Sequence, residues 1–391
     1  MNPPGRDPRL DALRGLALLG ILLINIESFL SGGPNPIGYL GPDASSADRF
    51  AYFFLATFVL GKFMPLFGML FGAGFSLLYD KLKSRFADPP RVYRRRLVFL
   101  LVFGLLHGSL LYFGDITQAY AVAGFVLLRH ADSDGARLAR ATKFWWFVAA
   151  VWLLFAIVPL SGAPDTAREI VDTIETQSVA TATLGYFAQW PLRAELFAWQ
   201  LQANLIGLPL VIALMLTGAL AHRAGWLQNP TAPAWRWARG IGIGIGLPLA
   251  LVFGTWSVRH ADPVANLAMP AWVIACQAAS VVLSFAYAAL VLQSAPRALV
   301  KWLAPAGRMP LTNYLLQSLA MGVLLTGWGL GLGTRLGYAQ LSVTAAAIFV
   351  VQVIASRAWL EVYAQGPLEA LWRWWTYRGA APRLDPSRVT N

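Results

Sequence analysis

The stretch "RRRLVFLLVFGLLHGSLLYFGDI", residues 94–116, opens with three arginines, runs through apolar residues and carries His107 on the way to Asp115. Arginines at one end of an apolar run of membrane length mark a segment that crosses a bilayer with its basic end in the cytoplasm. A histidine part-way along such a segment costs a few kcal/mol on insertion scales unless it is paired or faces water. The run therefore argues for a membrane helix and, at His107, for a polar partner or a wet cavity.

Composition extends the argument to the whole chain. Of its 391 residues 57% are hydrophobic and 13% charged, with a mean hydropathy of +0.55, against about 25% charged in soluble domains. Sixteen Trp, 12 Tyr and 22 Phe suit interfacial belts and lipid-facing helices. The net charge of +12 sits in short loops between apolar runs, so it reads as topology and not as a nucleic-acid surface. Runs of spanning length fall near 12–30, 51–79, 96–113, 115–130, 144–162, 197–222, 239–257, 270–293, 311–331 and 341–363. The sequence predicts an all-α polytopic bundle of about ten transmembrane helices, or eight if two runs are re-entrant. About 25 of the Lys and Arg fall at the termini and in alternate loops, and about five on the other side, which places both termini in the cytoplasm. Asp43, Asp48, Asp165, Glu169, Asp172, Glu175 and Glu195 lie on that other side.

The first run ends in "NIESFLSGG" without a cleavage site, so it is expected to stay as a helix. One transmembrane domain is expected over 1–391, with a small external cap, or a solvated surface loop or helix, over 163–196, where the acidic residues 165, 169, 172 and 175 lie close to one helical face. The lone Cys276 allows no internal disulfide.

Polar residues inside the runs carry the functional reading. At 1.5 Å per residue, His107 lies roughly 16 Å beyond Arg96, and Asn25 roughly 16 Å beyond Arg14. Lys62 reaches a comparable depth from the opposite side, and Asp115 closes the third run. His107, Lys62, Asn25 and Asp115 are thus candidates for one pocket. Asp115 orients His107 only if the backbone bends, because a straight helix would hold them about 12 Å apart. His130, His222 and His260 fall at loop edges, and four scattered His with one Cys give no metal-ligand spacing. The glycine sets "GMLFGAG" and "GIGIGIG" suit close helix contact and lack the strand that a dinucleotide loop requires.

"RLDALRGLALLGILLINIESF", "KFMPLFGMLFGAGF", "FGLLHGSLLYFGDITQAYAVAG", "GRMPLTNYLLQSL" and "QGPLEALWRWWT" resemble, in this order, the landmarks of the YeiB-like bacterial membrane proteins (domain of unknown function 418). That family looks like a branch of the transmembrane acyltransferases, which include heparan-glucosaminide N-acetyltransferase and share an Asp-x-x-Arg-Gly opening, here Asp11, Arg14 and Gly15. The resemblance implies a bacterial inner-membrane enzyme that moves an acyl group, acetyl above all, from cytoplasmic acyl-CoA to an acceptor. The glucosaminide enzymes carry their active histidine at the second span, where this chain has none, so His107 takes that role. A neutral imidazole serves as base or acyl carrier, with Asn25 or Lys62 as oxyanion donors. Arg14, Arg94, Arg95, Arg96 and Arg308 are candidates for the donor's phosphates, and Asn313, Tyr314 and Gln317 for a cavity lining. The partners expected are membrane lipids, acyl-CoA and an acceptor of open class, without nucleic acid or metal; a homodimer is compatible with the sequence. The rival reading is a proton-coupled transporter or lipid flippase using the same groups.

Overall fold

The computed structural model describes residues 7–31, 40, 44–157, 176–259 and 270–382. Among these the only non-helical pairing is an isolated bridge between Phe86 and Pro382. The helices are α1 (Pro8–Ser31), α2 (Ser46–Phe54), α3 (Phe63–Arg85), α4 (Pro89–Leu110), α5 (Thr117–Arg129), α6 (Gly135–Ile157), α7 (Trp190–Arg223), α8 (Pro233–Ile241), α9 (Leu247–Arg259), α10 (Pro270–Ser294), α11 (Arg297–Arg308), α12 (Pro310–Leu325), α13 (Tyr338–Val362) and α14 (Pro367–Tyr377). A π-helical turn, Leu55–Val59, follows α2, and another, Gly242–Gly246, joins α8 to α9.

Seven described stretches are long and apolar enough to cross a membrane: Pro8–Phe29, Ser46–Arg85, Gly135–Phe155, Trp190–Arg223, Pro233–Arg259, Cys276–Ser294 and Tyr338–Val362. The three remaining runs read from sequence are α4, α5 and α12. The first two turns of α4 go to Arg91, Arg94, Arg95 and Arg96. With 13 and 16 residues, α5 and α12 reach about 20 and 24 Å, short of the ~30 Å of a hydrocarbon core. Helices that short are held in place by their neighbours, and the candidate site is built on these three.

Close helix contact follows the small residues. A Cβ on Gly72 of α3 would lie 1.9 Å from the Met215 carbonyl oxygen, and one on Gly218 of α7 would lie 1.9 Å from that of Met69. The two glycines thus open α3 and α7 to each other, as small-residue spacing leads one to expect.

The basic loops gather at one end of the bundle. There the Lys83 ammonium lies 2.5 Å from Asp132, Arg223 donates to the carbonyls of Ala131 and Ser133, and Arg9 donates to that of Leu292 at 3.1 Å. The α14 helix lies across this end: the Trp372 indole donates to the Arg96 carbonyl at 2.9 Å. At the far end Asp48 accepts from the Ala339 amide at 3.0 Å, tying the start of α2 to that of α13. Of the cap expected over 163–196, residues 163–175 lie outside the described residues, as do Asp43 and His260.

Candidate functional site

The α4 helix stops at Leu110, and the amides of Leu111 and Tyr112 both donate to the His107 carbonyl, at 2.9 and 3.0 Å. The chain then turns back, so that Asp115 returns to His107. One oxygen of Asp115 lies 2.7 Å from His107 Nδ1. The other accepts from the Thr117 amide at 2.7 Å and the Thr117 hydroxyl at 2.8 Å, which fixes the carboxylate at the start of α5. Asn204 from α7 and Gln118 donate to the Asp115 carbonyl at 2.9 and 2.8 Å. The straight-helix separation of these two residues is thereby removed by the bend. Gly104 makes room for it: a Cβ there would lie 2.4 Å from the Thr117 hydroxyl and 2.9 Å from the Asp115 carboxylate.

On its other side His107 Nε2 lies 2.9 Å from the Ser318 hydroxyl on α12. His107 is 3% exposed, Asp115 0% and Ser318 1%. The imidazole stacks parallel to Phe103, with ring centroids 5.6 Å apart, and meets the Tyr314 ring at 4.9 Å. The Tyr314 hydroxyl is buried and turned toward Asp115, without a hydrogen bond of ordinary length. α12 is held by its N-terminus: Glu369 of α14 accepts from the amides of Leu311 and Thr312, at 2.7 and 3.1 Å, and from the Thr312 hydroxyl at 2.6 Å. A carboxylate on those free amide groups also complements the helix dipole. The motifs "GRMPLTNYLLQSL" and "QGPLEALWRWWT" are thus two halves of one joint.

The other candidates sit elsewhere. Lys62 is buried, with its ammonium 2.9 Å from the Ala56 carbonyl of the π turn; it makes no hydrogen bond to the His107 group. Asn25 is half-buried on α1 and likewise makes none. Asn313 pairs with Ser356 of α13 at 2.9 Å, and Gln317 with Gln352 at 3.0 Å. Those two amides face α13, while Tyr314 and Ser318 face α4. Arg14 pairs with Asp11 at 2.7 Å. Arg94 is exposed, Arg95 donates to the Arg378 carbonyl, and the Arg96 guanidinium lies over the Trp372 ring at 3.4 Å. Arg308 donates to the Ala364 carbonyl at 3.4 Å. At the same basic end, burial first, and then Arg137 and Arg129, push the His130 pKa below its ordinary value.

Sequence reading missed Ser318, Asn204, Glu369 and Arg193. Arg193, 7% exposed, donates to the Leu110 carbonyl at 3.0 Å and lies over the Tyr186 ring. It caps the last turn of α4 and lines a small cleft with Phe29, Leu111, Phe113, Gln189 and Leu196. The cleft lies at the end of the bundle away from the arginines of α4. Tyr112 connects it to the site, since its ring stacks on Phe29 at 5.0 Å and meets the imidazole edge-on at 6.4 Å.

Asp115, His107 and Ser318 form a buried chain in which a carboxylate orients an imidazole and the imidazole faces a hydroxyl. Such a chain can take a proton from an oxygen nucleophile and return it. No solved structure matches the chain. The family described as "Protein of unknown function (DUF418)" matches residues 221–379. The chain is 28% identical to the uncharacterized protein YxaH of Bacillus subtilis (strain 168), over 97% of this chain and 96% of that one. It is 29% identical to an uncharacterized 39.9 kDa protein from the amylase 3′ region of Bacillus acidopullulyticus, over 98% of each. With the uncharacterized protein YeiB of Escherichia coli (strain K12) it shares 30% identity over 97% of this chain and 98% of that one. The chain belongs to the YeiB-like family of bacterial membrane proteins.

Proposed function

We propose that this protein is an acyltransferase of the bacterial inner membrane that passes an acyl group, acetyl in the simplest case, from cytoplasmic acyl-CoA to an acceptor at or beyond the outer face. The observation that supports it most is the Asp115, His107 and Ser318 chain, with hydrogen bonds of 2.7 and 2.9 Å in a fully buried setting. Acyl transfer to a hydroxyl or amine needs a group that removes a proton as the new bond forms. His107 Nε2 is that group, and Asp115 holds the ring and balances the imidazolium that forms.

Ten spans with both termini cytoplasmic complete the proposal, and the gathering of the basic loops at one end supports that topology. The donor then approaches from the arginine end. Arg14, Arg94, Arg95, Arg96 and Arg308 are the groups proposed for its phosphates. The acceptor approaches from the Arg193 cleft. Calorimetry on the purified protein tests this: CoA should bind at low salt, with an affinity that falls as salt rises, because exposed charges are screened over about 8–10 Å. Absence of CoA binding at low salt would overturn the acyltransferase reading.

The transporter reading draws support from the two π turns and from Lys62, a buried cation beside one of them, since helix breaks and intramembrane charges mark transport sites. Against it, Lys62 and His107 share no hydrogen-bonded partner. A proton relay through both would need one.

A further inference from the structure

A hydroxyl inside a helix ordinarily donates to the carbonyl one turn back, and this chain follows the rule at many positions. Ser109 donates to Leu105 at 2.7 Å, Thr142 to Leu138 at 2.8 Å, Thr217 to Ala213 at 2.8 Å and Thr376 to Trp372 at 2.7 Å. Ser318 keeps only a long form of that bond. Its oxygen lies 3.4 Å from the Tyr314 carbonyl and 2.9 Å from His107 Nε2. The direction of the second bond follows from its neighbour. A carboxylate only accepts, so the ring proton of a neutral His107 sits on Nδ1, facing Asp115. Nε2 then offers a lone pair, and the Ser318 hydroxyl donates to it. A serine that donates to an imidazole held by a carboxylate is arranged to lose its proton as it attacks.

We propose that Ser318 is the acyl-carrying nucleophile of this protein, a role that rests on the acyltransferase reading and sharpens it. Ser318 Oγ bonds to the carbonyl carbon of the acyl thioester while its proton passes to His107 Nε2. The tetrahedral oxyanion collapses, the carbon–sulfur bond breaks, and the sulfur leaves with the proton from Nε2, so that Ser318 carries an oxygen ester. In the second half an acceptor hydroxyl or amine gives its proton to Nε2 and bonds to the acyl carbon. The ester carbon–oxygen bond breaks, and the proton returns to Ser318. The Tyr314 hydroxyl, buried, turned toward Asp115 and one turn from Ser318, is the donor proposed for the oxyanion.

The position of Ser318 gives the carrier a purpose. It lies six residues beyond Thr312, about 9 Å along α12 from the Glu369 joint at the arginine end. His107, which it contacts, is linked through Tyr112 to the cleft at the other end. A covalent ester lets the donor leave toward one face before the acceptor arrives from the other.

The test uses the full-length protein in nanodiscs with acetyl-CoA and no acceptor. The wild type should exchange labelled CoA into acetyl-CoA, and peptide mass mapping should place one acetyl group on Ser318. Ser318→Ala should lower exchange by about 100-fold or more and carry no adduct. Ser318→Cys should regain an adduct, now a thioester labile to neutral hydroxylamine, which shows that loss in the alanine variant is not misfolding. His107→Gln should slow adduct formation. An adduct on His107, exchange retained in Ser318→Ala, or CoA binding without any exchange in the wild type would each overturn the serine carrier while leaving the acyltransferase reading in place. No CoA binding at all would overturn both.

Discussion

The two inward faces of α12 carry similar residues and are put to different use. Asn313 and Gln317 point toward α13, where their amide groups meet Ser356 and Gln352. Tyr314 and Ser318, one residue further along in each case, point toward α4 and meet His107. The first face pairs amides and a hydroxyl, none of which changes charge near neutral pH; this is helix glue. The second contains an imidazole that can carry a proton, a carboxylate that orients it and a tyrosine hydroxyl turned toward that carboxylate. Burial and polarity alone do not separate glue from chemistry. An imidazole held between a carboxylate and a hydroxyl does.

The largest effect should come from His107→Gln, which keeps a hydrogen-bonding side chain and removes the proton carrier. Acyl transfer, read as release of CoA thiol, should fall by about 100-fold or more, while the thermal midpoint stays near that of the wild type. Full activity in this variant would make the α4 face of α12 another glue surface, and the contrast would collapse.

Gly104→Ala attacks the same face through the backbone. Its Cβ would lie 2.4 Å from the Thr117 hydroxyl and 2.6 Å from the Gln118 amide, so the start of α5 has to shift and Asp115 with it. Overpacking of this kind costs about 1–3 kcal/mol, and transfer activity should drop together with the thermal midpoint. A variant with unchanged activity would show that the precise seat of Asp115 is immaterial.

Gln352→Leu tests the opposite face. It removes the acceptor 3.0 Å from the Gln317 amide and the donor 2.9 Å from the Asn313 carbonyl. Stability should fall by about 1–2 kcal/mol, with turnover per folded molecule within about twofold of wild type. A large loss of turnover without loss of stability would move the α13 face into the mechanism.

These contrasts also show which features could be read from sequence. The apolar runs were legible because spanning length and charge segregation are local properties, and each run contains a helix, although the run 51–79 is broken at 60–62 and the runs 96–113 and 311–331 leave the helix at Leu110 and Leu325. The three that fail the length and apolarity test are α4, α5 and α12, where arginines and shortness displace apolar residues. His107 and Asp115 were legible as costly groups, but their contact was not. A straight helix separates them, and the bend depends on Gly104 clearing space for Asp115 and the start of α5. Ser318 was invisible because a serine in an apolar helix usually bonds its own backbone, and only the approach of α4 turns it outward. Lys62 was expected beside His107 and is held elsewhere, since the π turn at Leu55–Val59 and the left-handed Gly61 (φ +73°) bring its ammonium onto the Ala56 carbonyl. Depth follows from counting residues; azimuth depends on packing.

The smallest effect is expected where charge is paired in the open. Lys83 and Asp132 lie 2.5 Å apart at the basic end with side chains 44% and 62% exposed. The Lys83 hydrogen bond comes first among the causes that hold the Asp132 pKa below its ordinary value, with the Tyr79 hydroxyl also contributing. A depressed carboxylate stabilises the fold above its unfolded pKa, about 3.9, and that stabilisation is lost as pH falls through the lower folded value. Solvent screening keeps an exposed pair to about 0.2–1 kcal/mol. Asp132→Asn should therefore lower the thermal midpoint slightly at pH 7, and the gap from wild type should close as pH is lowered through 4 toward 2. It should also narrow with added salt, because both charges face water. A gap that persists at low pH would mean that Asp132 acts through its hydrogen bond to Tyr79, 3.0 Å away, and not through its charge. In that case this end of the bundle would be held as the α13 face of α12 is, by pairing that is indifferent to protonation.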